Sequence, residues 1–330
     1  MIFANRKDAI IFIVIYALST WANGQNDIHS PVWPNKIVKL VVGFPAGSSP
    51  DLTARTLAEP LSKALGQPVI VENKVGAGGN IAADYVAKAT DKHTLGLMIN
   101  GNMTTAKLLN PALRYDPLKD LVPVSLVGVS PLVLMVPKNA PGTNGQAFLA
   151  AARQAGATWS YGSPGVGTVG HIGMELFKAK TGGKAMHVPY PGYAQVASAM
   201  VGGQLQLSML PPALAMAQVK GDKLRAIGVT SSGRSPLAPE LPSMSEVGVT
   251  DFNLEIWNAV AAPKTMPAPL VARLSTLISE IARSPEVRQK LFQQGWQVVG
   301  SSPEGLAYRV KSDTAVFGGM IKTLAIAAND

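Results

Sequence analysis

The chain has 330 residues, 47% hydrophobic and 15% charged, a balance that suits compact globular structure and excludes a disordered chain. Its formal charge of +9 comes from Lys and Arg scattered singly, with no basic run and no aromatic interleaving, so no nucleic-acid partner is expected. Cysteine is absent, which excludes a disulfide framework, a thiolate metal site and a lipid-modified cysteine.

At the N-terminus Arg6 and Lys7 precede the apolar run AIIFIVIYAL, and STWANGQ follows with the small residues Ala22 and Gly24. About ten apolar residues are too few to span a bilayer, which takes roughly 20. The three zones predict a secretory signal peptide over residues 1–24, cut after Gly24; the alternative is an uncleaved anchor, because Asp8 interrupts the positive zone. No other stretch is long and apolar enough to cross a membrane.

The run KIVKLVVGF, rich in β-branched residues, predicts a buried strand ended by Pro45 and Gly47. A helix follows, with Ser49 as its N-cap, Pro50 at its first position and Asp51 in its first turn; it reaches Gly66 and is expected to kink at Pro60. PVIVEN is the next strand, GAGGN a glycine turn, IAADYVAKA a helix and TLGLMIN a third strand ending at Asn100 and Gly101. This β-α-β-α-β order predicts a parallel sheet with crossover helices. VPVSLVGVSPLVLMVP joins two strand-like runs around Ser130 and Pro131, after which the pattern restarts. AFLAAARQAG, TVGHIGMELFKAKTG and YAQVASAMVGG predict helices, interleaved with the strands TWSYGS, AMHVPY, QLQLSML and KLRAIGVT. Beyond a Pro- and Ser-rich connection, EIWNAVAAP predicts a strand that returns to the first lobe. PAPLVARLSTLISEIARSPEVRQKLFQQG predicts two helices broken at Ser284 and Pro285.

Gly165, Gly167 and Gly170 have the spacing G-x-G-x-x-G of a dinucleotide site. That fold needs an acid at the end of the next strand for the ribose, and AMHVPY has none, so no nucleotide cofactor is expected. Ser163 lacks the first glycine of G-x-S-x-G, and Pro164 removes an oxyanion donor. His171 and Glu175 stand four apart on a helix, but His29, His93 and His187 show no ligand spacing, so no metal site is predicted. Packing or capping suits His171 better, and Asp51 suits a partner of free helix amides. No catalytic acid-base pair is identifiable. What remains is a series of small-residue turns, FPAGSSPD, VGAGGN, NGN and SPGVGT, each directly after a strand. In parallel sheets such turns gather along one edge, where unpaired amides and helix N-termini favour anions.

FPAGSSPDLTAR, VIVENKVGAGGNIAADYVAKA, RYDPLKDLVPVSLV, YGSPGVGTVGHIGMELFKAKTG, HVPYPG, GDKLRAIGVTSSGRSP, LPSMSEVG and WNAVAAP, in order from about Trp33 to the C-terminus, resemble the tripartite tricarboxylate transporter substrate-binding proteins, the Bug family of periplasmic receptors. The resemblance implies a type II periplasmic binding fold of the α/β class, two lobes with a ligand cleft between them. It places lobe 1 at 31–130, completed by about 251–330, and lobe 2 at 131–250. It implies a non-catalytic monomer in the periplasm that holds a small carboxylate by backbone amides and hands it to the membrane components of a transporter or to a sensor. By motif position the ligand-binding residues are Phe44, Pro45, Ala46, Gly47, Ser48, Asp51, Ala77, Gly78, Asn100, Gly101, Ser163, Gly165, Gly167, Thr168 and His171. Two features depart from the family pattern. Ser48 replaces a usual glycine, which strains any backbone needing positive φ there, and TDKHTL replaces a common turn, expected to be a surface change. The rival functions are a secreted or periplasmic α/β enzyme using the same cleft, and an interaction protein that takes no small ligand.

Overall fold

The β-branched run does form a strand, β1 (Val38–Val42), and its residues are almost wholly buried because a parallel strand is covered on both faces. The computed structural model describes residues 33–142 and 144–327; the expected signal peptide at 1–24 lies outside them. Within the compact unit Lys36–Asp330, β1 pairs in parallel with β2 (Val69–Asn73) and β3 (Thr94–Ile99), Leu40 lying opposite Val71 and Leu95. Helix α1 (Ser49–Leu65) links β1 to β2, and α2 (Asn80–Ala87) links β2 to β3. Helices of eight or more residues are numbered here.

α1 buries Pro50, Ala54, Leu57, Ala58, Leu61 and Leu65, a stripe at helical spacing, and ends at Gly66, whose φ of +69° lets its N–H bond Ser62 O. Its N-cap is Ser48 rather than the expected Ser49, and it continues through Pro60. The proline removes one backbone donor without ending a helix packed along its length. In the TDKHTL turn His93 is packed inward, 5% exposed, while Lys92 takes a φ of +56°. Asp91 accepts hydrogen bonds from His93 N and Thr94 Oγ1, so the change is not confined to the surface.

β4 (Leu121–Pro131) is paired along its whole length in the first sheet, and after Leu132 the chain enters β5 (Val133–Pro137) of a second sheet. There follow α3 (Gly145–Ala155), β6 (Ser160–Ser163), α4 (Val169–Thr181), β7 (Met186–Pro189), α5 (Tyr193–Val201), β8 (Leu207–Leu210), α6 (Pro212–Lys220) and β9 (Leu224–Val229). The chain then returns through β10 (Glu255–Pro263), α7 (Ala268–Arg283), α8 (Pro285–Gln293), β11 (Gln297–Val298) and α9 (Pro303–Thr323). Strand order is β11-β4-β10-β3-β1-β2 in the first sheet and β7-β6-β8-β5-β9 in the second. Each sheet with its helices is one α/β lobe, and the first draws its strands from both sides of the second in sequence. β10 lies between β3 and β4, antiparallel to both. Thr230 ties the two crossings together: Leu132 N donates to its Oγ1, which donates to Leu254 O, while its N–H reaches Leu132 O.

Each lobe has its own apolar core. That of the first includes Trp257, Met98, Met103, Leu306 and Val310, and that of the second Val133, Met135, Val196, Met200 and Leu210. Each such side chain contributes about 1.5 to 3 kcal/mol when removed from water. Helices α6 and α9 and strand β11 are not foreseen by the sequence reading.

Candidate functional site

The turn from β1 into α1 is built by a buried carboxylate. Gly47 turns the chain at φ +78°, and its N–H donates to Asp51 Oδ2 at 2.9 Å. Asn73 Nδ2 bridges Phe44 O, at 2.9 Å, and Asp51 Oδ1, at 2.8 Å. Arg55 completes the set through Nε and Nη2. Asp51 is 1% exposed. Burial pushes its pKa up, but the Arg55, Gly47 and Asn73 hydrogen bonds outweigh that and hold the carboxyl below its ordinary value. Ser48 has φ −68° and ψ 160°, extended backbone that any residue adopts, so the strain expected there is absent; the left-handed step falls on Gly47.

Beside this turn lies a cavity of about 460 Å³ onto which four helices open by their N-termini. Ser48 and Ser49 bring the start of α1, Thr168 and Val169 that of α4, Gly192 and Tyr193 that of α5, and Pro211 and Ala213 that of α6. In α1, α5 and α6 no side chain caps the first turn, whereas in α4 Thr168 accepts from His171 N. First-turn amides lacking intrahelical partners are donors for an anion, and each helix end contributes roughly 0.3 to 1 kcal/mol electrostatically. Phe44, Leu52, Tyr193, Leu214, Trp257 and Trp296 supply an apolar wall, and no charged side chain is among the described lining residues. Ser48 Oγ, Ser49 Oγ, Asn258 Oδ1, Gln294 Oε1 and Trp296 Nε1 belong to lining residues but are themselves buried, and they make no hydrogen bond within the protein.

Of the residues chosen from sequence, Phe44, Pro45, Ala46, Gly47, Ser48, Asn100 and Thr168 line this cavity. Asn100 spends its side chain on β10, accepting from Trp257 N at 2.8 Å and donating to Glu255 O at 3.2 Å. Ala77, Gly78 and Gly165 line a different cavity of about 660 Å³ with Gly76, Gly79 and Tyr190. Asp51, Gly101, Ser163, Gly167 and His171 line neither. The glycines among them bring the lobes together: a Cβ on Gly165 would stand 3.0 Å from Gly78 Cα, and one on Gly101 would stand 3.1 Å from Gly167 O. Thr105 Oγ1 donates to Gly167 O at 2.7 Å across the same junction.

His171 Nδ1 accepts from Gly167 N at 3.2 Å, and its ring stacks on His187 at 4.2 Å between centroids. Pairing of β6 with β7 sets Tyr161 opposite His187 and brings Ser163 Oγ to 2.7 Å from His187 Nε2, a proximity that no sequence spacing announced. That serine is 0% exposed. Glu175 is engaged by Tyr161 and Lys178, away from His171. The sequence reading missed the half of the cavity from α5, α6, β10 and the 293–296 segment. PPAL after β8 carried a usable signal, since prolines directly after a strand mark a helix start.

Residues 53–326 match the model of a family described as the tripartite tricarboxylate transporter family receptor. Protein BugT of Bordetella pertussis is 31% identical over 297 residues, covering 89% of this chain and 91% of that protein. Among solved structures, Rpa4515 of R. palustris with adipate superposes with a TM-score of 0.86 at 32% identity, covering 89% of this chain and 99% of that one. MatC of Rhodopseudomonas palustris with bound malate gives 0.83 at 29% identity, covering 88% of this chain and 100% of that one.

Proposed function

The chain belongs to the tripartite tricarboxylate transporter family of receptors, and from that premise we propose that it takes a small carboxylate in the 460 Å³ cavity without altering it. The observation that carries this is the meeting of four helix N-termini, three of them without a side-chain cap, on a cavity with no charged lining residue. Adipate and malate in the related structures support the ligand class. It is a solute-binding receptor of the periplasm, and among the described residues no helix is long and apolar enough to cross a membrane. The exported form begins at Gln25, is a monomer, and hands its ligand to the membrane components of the transporter or to a sensor. Ser163 is 0% exposed and lines neither cavity, which supports a receptor over an enzyme using the Ser163–His187 pair.

The test is a thermal-shift screen of the exported protein against mono-, di- and tricarboxylates, with the ligand recovered and weighed afterwards. At a free concentration 100 times the dissociation constant the gain is roughly 2.7 kcal/mol, a shift of several degrees. A carboxylate that stabilises the protein and returns intact supports the proposal. No shift with any acid, or a ligand consumed, sinks it.

A further inference from the structure

We propose that the Tyr193 hydroxyl is the side-chain donor that holds the ligand's carboxylate, beside the start of α4, and that Gly170 is the residue that makes room for it. The inference rests on the carboxylate reading above and adds to it which of the four helix starts receives the charge.

Four residues on the described lining carry a hydroxyl, and three of these groups are withdrawn from the cavity. Thr168 Oγ1 donates its proton to Gly165 O at 2.7 Å, and Ser48 Oγ and Ser49 Oγ are buried. Tyr193 Oη has no hydrogen-bond partner among the described residues; unlike the serine oxygens it is not sealed, and the space that Tyr193 borders is the 460 Å³ cavity. Burial in the cleft pushes its pKa above the ordinary value for a phenol, so it keeps its proton and can donate to an anion. The amides of Asn100, Asn258 and Gln294 and the Trp257 indole are held by protein acceptors. Gln195 and Gln293 are exposed, so water competes for their amides and a flexible side chain must be ordered.

Gly170, the third glycine of the G-x-G-x-x-G spacing, gives the hydroxyl its place. It is the second residue of α4, and a Cβ on it would stand 2.6 Å from Tyr193 Oη. The phenol therefore ends beside the first turn of that helix. There Thr168 caps the His171 amide, while the N–H groups of Val169 and Gly170 have no acceptor among the described residues. Thr168, Val169 and Tyr193 all line the cavity. A carboxylate between Val169 and Tyr193 accepts from the phenol and faces the positive end of α4. The other starts are poorer in donors. α1 has Pro50 in its first turn, and α6 opens on Pro211 and Pro212, residues without an N–H.

Calorimetric titration of the intact exported protein with adipate, malate, succinate, benzoate and hexanoate finds the tightest of the five, which serves as probe. Tyr193→Phe weakens it about tenfold to a hundredfold, as loss of a hydrogen bond to a charged group warrants. The melting temperature of the ligand-free variant moves by less than about 2 °C, because the hydroxyl bonds nothing in the protein. Gly170→Ala, checked for folding by thermal unfolding, displaces the hydroxyl and weakens the probe to a similar degree. Added to Tyr193→Phe it costs less than about threefold more, since the group it displaces is already gone. Should Gly170→Ala fail to fold, Tyr193→Phe decides alone. Unchanged affinity in Tyr193→Phe, or two losses that multiply in full, overturns the inference and leaves the carboxylate proposal standing. If none of the five acids binds, the inference falls, and the carboxylate proposal falls with it only where the wider screen is empty too.

Discussion

Replacing Asp51 by Asn keeps the shape of the side chain and removes its charge. Oδ1 retains its bond from Asn73, but the group at Oδ2 becomes a donor facing two donors, Gly47 N and Arg55 Nε. The Arg55 side chain is 51% exposed and regains water, so its share is discounted. Gly47 N–H loses a bond to a charged acceptor, which leaves a cost of about 2 kcal/mol. The cost depends on pH with a definite sign. The folded carboxyl titrates below its unfolded value, near 4; the stabilisation is whole above that value and disappears as pH falls through the folded one. Urea unfolding of parent and variant at pH 7 and again near pH 3 measures both halves. A gap under about 0.5 kcal/mol at pH 7, or one undiminished in acid, refutes the account of the turn.

Three further substitutions probe other parts of the frame. Gly43→Ala puts a Cβ 2.4 Å from Gly79 Cα, backbone that cannot yield easily, and is expected to cost about 1 to 3 kcal/mol in chemical denaturation. Gly47→Ala meets no atom within 4 Å but must hold φ +78°, so the expected loss is about 1 to 2 kcal/mol from conformation alone, with ligand affinity falling as the turn relaxes. Asp313→Leu strips the 2.7 Å bond from Trp257 Nε1; an unmet buried indole costs about 1 to 3 kcal/mol, and because Trp257 lines the cavity, affinity measured by calorimetry drops with stability. Unchanged affinity in the last case would separate α9 from the site.

The first half of the cavity was legible because its signals are local. A β-branched run, a glycine able to take positive φ and a proline near a helix start all sit between Val38 and Pro50. The second half was not, because its parts meet only through the sheets. α6 buries only Pro212 and Ala215, too few to show a period, and so passed as connection. α9 has Ser302 as N-cap and Pro303 in its first turn, but its buried stripe is four residues long over 21, and Gly318 and Gly319 break its propensity. Trp296 lies in none of the quoted blocks, and Asn258, although inside WNAVAAP, has no spacing that marks it as a site residue. The strain expected at Ser48 failed because a single residue type cannot say which of two adjacent peptides takes the left-handed step; hydrogen bonding from Gly47 to Asp51 decides it.

β10 stands in the middle of the first sheet although it comes from residues 255–263, after every strand of the second lobe. Seen along the time axis of synthesis, the two lobes are not equals. All five strands of the second sheet are available once Val229 has been made, whereas the first sheet is split into β4 on one side and β3, β1 and β2 on the other until β10 arrives to join them. Pairings of such sequence separation are slow to form, since a long loop must close before they are rewarded. The half of the cavity contributed by β1, α1 and β3 is therefore completed last, and a chain cut short before residue 255 has every strand of the second sheet but a first sheet without the strand that joins its two parts.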